Sequence, residues 1–415
     1  MNWIALLALA LILGRLAAQL GLEWLNQREC GRHSGGLPDA FRGVMDAATY
    51  QRSIEYTLAR SRFSQVSDAW HAAVLAAVLF SGVLPRALAA VQDRLGSGAG
   101  AMALFLLLVG LALAIPGLPL DWHEQFRLEQ RFGFNTATPG TWWLDRARGL
   151  LLAVVLGFPL LLLVLKLVEW AGAAWWLWAW ASLLAFQTVM MILAPVLILP
   201  LFNKFTALPE GELRDRLFQL AERTRFQTRS LEVMDGSKRS RHSNAFFTGL
   251  GRFRKIVLFD TLVQQLEPVE LEAVLAHEIG HFKKKHIPKM LLFSAAGSLA
   301  GFWLISVLAR QPSFVRAFGF EPGGIAPALL LFALLSGTVT FWLSPVFHAW
   351  SRRYEYEADA YAAGVMNAPA PLIAALRKLN EKNLSNLSPH PVYSGFYYSH
   401  PTLLERERAL RSTGS

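Results

Sequence analysis

Apolar residues in this chain gather into long runs instead of the short alternating or amphipathic patterns of a water-soluble core. Residues 101–120, 171–201, 290–309 and 324–347 contain no Asp, Glu, Lys or Arg. Each is about 20 residues or longer, enough helix to cross roughly 30 Å of hydrocarbon. Residues 149–165 form a shorter but uniformly aliphatic run, and Lys166 at its end can snorkel to the interface. Residues 69–91 read as a further span despite Pro85 and Arg86 near their end. Residues 3–25 are interrupted by Arg15, Gln19 and Glu23 and read as a span or an interfacial helix. No charged n-region or small-residue cleavage site marks them as a cleaved signal peptide. The pattern predicts a mainly α, integral-membrane protein with seven transmembrane helices.

Between and after these runs lie two polar segments, 202–289 and the tail from Ala349 onward. Within them, residues 229–235, 245–249 and 254–259 have strand-like composition bounded by Gly and Ser. Residues 213–224, 269–285, 349–366 and 371–382 show helical spacing. Together the two segments predict one α+β unit. The chain therefore divides into a five-span region (1–201), a first polar segment (202–289), two further spans (290–348) and a second polar segment (349–415).

Composition agrees with the membrane reading. Of 415 residues, 53% are hydrophobic and only 17% charged, with 14 Trp and 27 Phe, more apolar surface than a soluble protein of this size needs. The net charge of +10 is spread over loops between apolar runs and shows no nucleic-acid-binding motif, so no nucleic-acid partner is expected. With the N-terminus outside, the first loop carries Arg28, Arg32, Arg42, Arg52, Arg60 and Arg62, and the third carries Arg127, Arg131, Arg146 and Arg148. Alternate loops hold at most two arginines each. This asymmetry puts both polar segments in the cytoplasm. The Ala-, Arg- and Gly-rich composition suggests a bacterial cell membrane. The single cysteine, Cys30, excludes an internal disulfide and a Cys-based metal site.

The chemistry concentrates on residues 277–281, His-Glu-Ile-Gly-His. Two histidines four residues apart on a helix share a face and can reach one ion. Glu278 is offset by one residue, placed to meet a water without ligating the metal. Zinc suits such a set because it takes imidazole and carboxylate ligands and keeps a fourth position for water. Gly280 in mid-helix costs roughly 1 kcal/mol relative to Ala, which points to close approach by another backbone or by substrate. A third ligand is required, and the metzincin pattern fails because Lys284 and Ile287 stand where it needs Gly and His. His286, five residues beyond His281, reads as an interfacial histidine. On residues 351–364, Glu355 and Asp359 share a face at i, i+4, so Glu355 can close the site and Asp359 can orient a zinc histidine. Glu357 reads as a solvated neighbour. Both helices lie within a few residues of a span. His281 to Met290 is about 14 Å if helical, which places one zinc ion per chain at the cytoplasmic membrane boundary.

These residues, with RFGFNTAT at 131–138, FNKFTALPEGELR at 202–214, HSNAFFTG at 242–249 and YYSHPTLLERERAL at 397–410, resemble the Ste24-type CAAX prenyl proteases of the M48 metallopeptidase family. The resemblance covers most of the chain. It implies seven helices enclosing a chamber, with a cytoplasmic-side, gluzincin-like α+β zinc-peptidase domain facing into it. It assigns His277, His281 and Glu355 as zinc ligands, Glu278 as general base and Asp359 as a supporting carboxylate. Asn244 and Ala245 match an edge-strand segment that pairs with extended substrate by β-addition. His400 matches a histidine near the developing oxyanion, and Arg406 its supporting arginine. Read alone, SNAFFTG is a short amphipathic strand, and His400 before Pro401 is a residue at a helix start. FNKF at 202–205 stands where many relatives have an acidic residue after Phe202.

The function these features imply is membrane endoproteolysis of peptide or protein substrates, lipidated or membrane-associated, with membrane lipid as the other partner. A quality-control peptidase of the HtpX kind would share the chemistry with fewer spans. A transporter would need ionisable residues or broken helices in mid-span, which the four charge-free runs do not offer.

Overall fold

The computed structural model describes residues 2–38, 41–43, 45–228, 230–248 and 255–413. Among them, six helical runs are long and apolar enough to cross a membrane: Trp3–Arg32, Ala47–Phe80, Ala99–Glu129, Pro139–Phe202, His286–Leu308 and Ala326–Met366. The Pro139–Phe202 run has 64 residues and would reach about 96 Å if straight. It turns back instead at Gly172, whose φ of 53° is left-handed, and Val164 on one arm packs with Trp175 and Ala179 on the other. The expected spans 149–165 and 171–201 are the two arms of this run.

The second expected span, 69–91, is displaced. Its helix begins at Ala47 and ends at Phe80, because Gly82 at φ 73° breaks the chain. A separate helix, Val83–Leu95, follows, and Pro85 is accommodated in its first turn, where a missing N–H costs little. In the first run, the polar residues that interrupt the apolar pattern all have partners. Arg15 donates to the Gly337 carbonyl at 3.1 Å, and the Gln19 amide donates to Asp68 at 2.7 Å. Glu23 accepts from Ser61 and Tyr393. They face the rest of the protein, so their cost in lipid is avoided.

The polar segments form a four-stranded sheet, β1 (Phe205–Ala207), β2 (Ser230–Met234), β3 (Ala245–Thr248) and β4 (Lys255–Phe259), in the order β1-β2-β4-β3. β2 and β4 are parallel, with Ser230 opposite Lys255; the other pairs are antiparallel. Three of these correspond to the expected strands; residues 229, 249 and 254 lie outside the described residues. The alternation of β4 is lost because it is central: Ile256, Val257 and Leu258 are all buried. Beneath the sheet, Leu217 and Leu220 of the Glu212–Arg223 helix pack with Leu271, Leu275 and Ile279 of the Pro268–Lys283 helix.

That Pro268–Lys283 helix, which carries HEIGH, starts with Pro268 at its first position, and Glu270 reaches back to accept from the Glu267 N–H at 2.8 Å. It packs against the 41-residue Ala326–Met366 run. The expected span 324–347 and helix 349–366 thus form one rod, capped by Asn367 at φ 55°. The two helices approach most closely at Gly280. A Cβ there would lie 3.0 Å from Ala358 Cα and 3.1 Å from the Ala358 carbonyl oxygen, so the mid-helix glycine is required by backbone contact. Replacing Gly280 with Ala should improve local helix propensity yet destabilise the protein by about 1–3 kcal/mol, because the added methyl group forces the Ala358 backbone to shift. Thermal unfolding of the purified variant in detergent checks this; an unchanged or raised midpoint contradicts the crossing.

Candidate metal centre

The crossing brings His277, His281 and Glu355 together, with one ligating atom from each lying within 4.8 Å of the others. The two Nε2 atoms are 3.2 Å apart. Glu355 Oε2 lies 3.5 Å from His277 Nε2, and Oε1 lies 3.3 Å from His281 Nε2. Two ligand atoms each about 2.0–2.1 Å from one tetrahedral ion sit about 3.3 Å apart. The nitrogen–nitrogen distance and the two nitrogen–oxygen distances, one to each oxygen of Glu355, are all close to that spacing. Glu355 Oε2 is also buried without a well-directed hydrogen bond, although His400 Nδ1 stands 2.7 Å away. An unsatisfied buried carboxylate oxygen facing two imidazoles fits a cation.

Each imidazole is held on its far side. His277 Nδ1 meets Asp359 Oδ1 at 2.8 Å. Asp359 in turn accepts two bonds from Arg406, from Nε at 2.8 Å and from a terminal nitrogen at 2.5 Å. Burial disfavours charge on His277, but its bonds to Asp359 and Glu355 outweigh that and raise its pKa to about 9. The expected Asp359 contact is present. Arg406 contacts Asp359, His277 and Glu355 and lines the same cavity as His400.

Around His281 the expectations for His286 and Glu357 are corrected. The HEIGH helix ends at Lys283, and Lys285 adopts a left-handed conformation before a new helix begins at His286. This turn swings His286 back, so that its Nδ1 lies 3.0 Å from His281 Nδ1. Its Nε2 meets Glu357 Oε2 at 3.1 Å. Glu357 is thus bonded and half-buried, not a solvated bystander. No residue in the sequence announces the break, because Lys is an uncommon occupant of the left-handed region.

Glu278 is half-buried beside the triangle. Burial raises its pKa above the ordinary carboxylate value, against the pull of His277 and His281. His400 is largely exposed, reaching Glu355 from the segment before the Leu403–Thr413 helix. It borders a cavity of about 610 Å³ shared with Arg406, Tyr398, Tyr393, Asn386 and Asn26. Asn244 and Ala245 lie at the start of β3, the edge strand, where the Phe259 N–H donates to the Asn244 carbonyl at 3.1 Å.

Residues 207–414 match peptidase family M48, and residues 26–204 match the CAAX prenyl protease N-terminal region described as five membrane helices. The chain belongs to the Ste24-type CAAX prenyl proteases of family M48. CAAX prenyl protease 1 of Saccharomyces cerevisiae is 36% identical over 408 residues, covering 90% of this chain and 88% of the yeast protein. The Arabidopsis thaliana CAAX prenyl protease 1 homolog is 36% identical over 386 residues, covering 90% of each. The crystal structure of S. mikatae Ste24p superposes with a TM-score of 0.91 at 34% identity over 98% of each chain. As a Ste24-type protease the chain is an integral-membrane zinc metalloendopeptidase. The HtpX and transporter readings are not favoured.

In this Ste24-type site the Arg406–Asp359 pair is buried, so cutting it leaves an uncompensated charge. Arg406→Met should destabilise the fold by about 3–5 kcal/mol, with Arg406→Lys intermediate because it cannot form the fork. Denaturant unfolding tests both; equal loss in the two variants contradicts a bidentate role.

Proposed function

We propose that His277, His281 and Glu355 hold one zinc ion and that Glu278 is the general base of peptide hydrolysis. The observation carrying this reading is the convergence of the three side chains: the two Nε2 atoms are 3.2 Å apart, and a Glu355 oxygen lies 3.5 Å from His277 Nε2 and the other oxygen 3.3 Å from His281 Nε2, spacings that suit one ion held between them. Bound there, zinc supplies Lewis-acid polarisation of a carbonyl and brings the pKa of a water near 7. Glu278 takes the proton of the attacking water and returns it to the leaving amine. His400, across from the imidazoles, donates to the carbonyl oxygen as negative charge builds there. Asp359 and Arg406 hold His277 in the tautomer whose Nε2 lone pair is free. Asn244 and Ala245 open an edge strand onto which extended substrate adds as a further strand.

The substrate is an extended C-terminal segment of a protein, and the CAAX prenyl protease relatives support a lipidated one. Counting the two arms of the 139–202 run as separate crossings gives seven transmembrane helices. The Lys and Arg excess in residues 28–62, 127–148 and 202–289 supports a cytoplasmic-side α+β peptidase domain, and the composition supports a bacterial cell membrane. Division at 201, 289 and 348 keeps each half of the zinc site with its adjoining spans.

Glu278→Gln should lower kcat by about 10²–10⁴-fold on a CAAX-ending peptide, while zinc content stays at the native level. Steady-state cleavage with parallel metal analysis checks this; native turnover in a chelator-sensitive sample of the variant excludes Glu278 as the base.

A further inference from the structure

The positions of His286 and Glu357 have no place in the hydrolytic scheme above. His286 is buried to 1% side-chain exposure, and both of its ring nitrogens are engaged. Its ring stacks on Tyr354, with centroids 3.9 Å apart and planes 10° from parallel. In an unbroken helix a residue five positions after His281 would lie about 140° around the axis and about 7.5 Å along it, out of reach of the His281 ring. Contact is achieved only through Lys285, at φ 57° and ψ 37°. For a residue with a Cβ that conformation costs about 1–2 kcal/mol, and strain of this kind collects at functional sites.

The direction of the hydrogen bonds follows from the metal triangle. His281 turns Nε2 toward Glu355 and His277, so a neutral His281 carries its proton on Nδ1. That N–H faces His286 Nδ1, which must accept. His286 then carries its own proton on Nε2, pointed at Glu357 Oε2. The arrangement parallels that around His277, where Asp359 is met directly. Residues 355, 357 and 359 thus serve one centre: the first faces the ion, and the other two orient its two imidazoles. Glu357 is on a different face of its helix from Glu355 and needs the inserted imidazole to reach His281.

We infer that His286 is a positioning residue for the metal centre: it accepts from the His281 Nδ1–H and relays the bond to Glu357, locking the Nε2 lone pair of His281 toward the ion. An acceptor on the far nitrogen orients a ligating imidazole and raises its basicity. Because His286 is also the first residue of the His286–Leu308 membrane run, the relay couples the zinc ligand to the start of a membrane helix. The exposed Arg353, 3.3 Å from Glu357, contributes little, as expected of a surface ion pair.

The inference rests on the ligand set proposed above, and one experiment separates the two. Full-length protein in detergent is titrated with zinc against a competing chelator, and the melting temperature of each zinc-free sample is compared with the native one. His281→Ala should leave no stoichiometric zinc; retention would overturn the ligand set itself, whatever His286 does. His286→Phe keeps the ring that stacks on Tyr354 but cannot accept, and should weaken zinc binding by about 10–100-fold. His286→Asn restores an acceptor near the Nδ1 position and should recover affinity to within about threefold of native. Glu357→Ala, at a half-buried position that threatens folding least, should weaken binding by about threefold to tenfold, and Arg353→Ala should not. Native affinity in His286→Phe, or equal loss in His286→Phe and His286→Asn, overturns the relay. If His286→Phe does not fold, native affinity in Glu357→Ala overturns it.

Discussion

Two helices that would otherwise be unrelated in sequence touch backbone to backbone at Gly280 and Ala358. The centre depends on that contact. Ridge-and-groove packing normally keeps helix axes about 8–10 Å apart, set by the side chains between them. Removing the side chain at Gly280 lets the HEIGH helix sink against the Ala326–Met366 run, and the ligand triangle closes one turn away from the crossing. Because the second helix belongs to a run long and apolar enough to cross a membrane, the depth of the His277–His281–Glu355 cluster in the molecule is fixed by the same contact.

Closing the helices buries an unusual concentration of charge. Glu355, Asp359, His277 and Arg406 are all less than a tenth exposed, a set that would be prohibitive if any member lacked a partner. The structure resolves it by pairing: Arg406 with Asp359, Asp359 with His277, and Glu357 with His286. Glu355 is the member whose Oε2 lacks a well-directed hydrogen bond, although His400 Nδ1 stands 2.7 Å away. The same logic holds along the first membrane run, where Arg15, Gln19 and Glu23 are tolerated because each faces a polar partner instead of lipid.

Much of this was legible in the residue order, and the limits of that legibility are physical. Helical periodicity pairs His277 with His281 and Glu355 with Asp359, since i, i+4 spacing holds wherever a helix is unbroken, but it does not bring the two pairs together. The apolar runs could be read from length and charge. What failed were the breaks. The left-handed turn at Lys285 has no compositional mark, so His286 and Glu357 were misplaced; Gly82 shifted the second membrane helix from 69–91 to 47–80. The contact of Arg406 with Asp359 depends on how the Leu403–Thr413 helix docks, a long-range fact that local pattern does not contain. His400, Asn244 and Ala245 were visible only through resemblance, because each comes from a segment whose own pattern is bland.

The most direct test of the centre is the metal content of a Glu355→Gln variant, since Glu355 is the proposed ligand supplied by the second helix and by no local motif. Metal analysis of native protein should give one zinc per chain. The variant, folded and purified in parallel, should retain less than about a tenth of that, as expected when one of three protein ligands is neutralised. Full zinc occupancy in folded Glu355→Gln protein would contradict a centre built across the Gly280–Ala358 crossing.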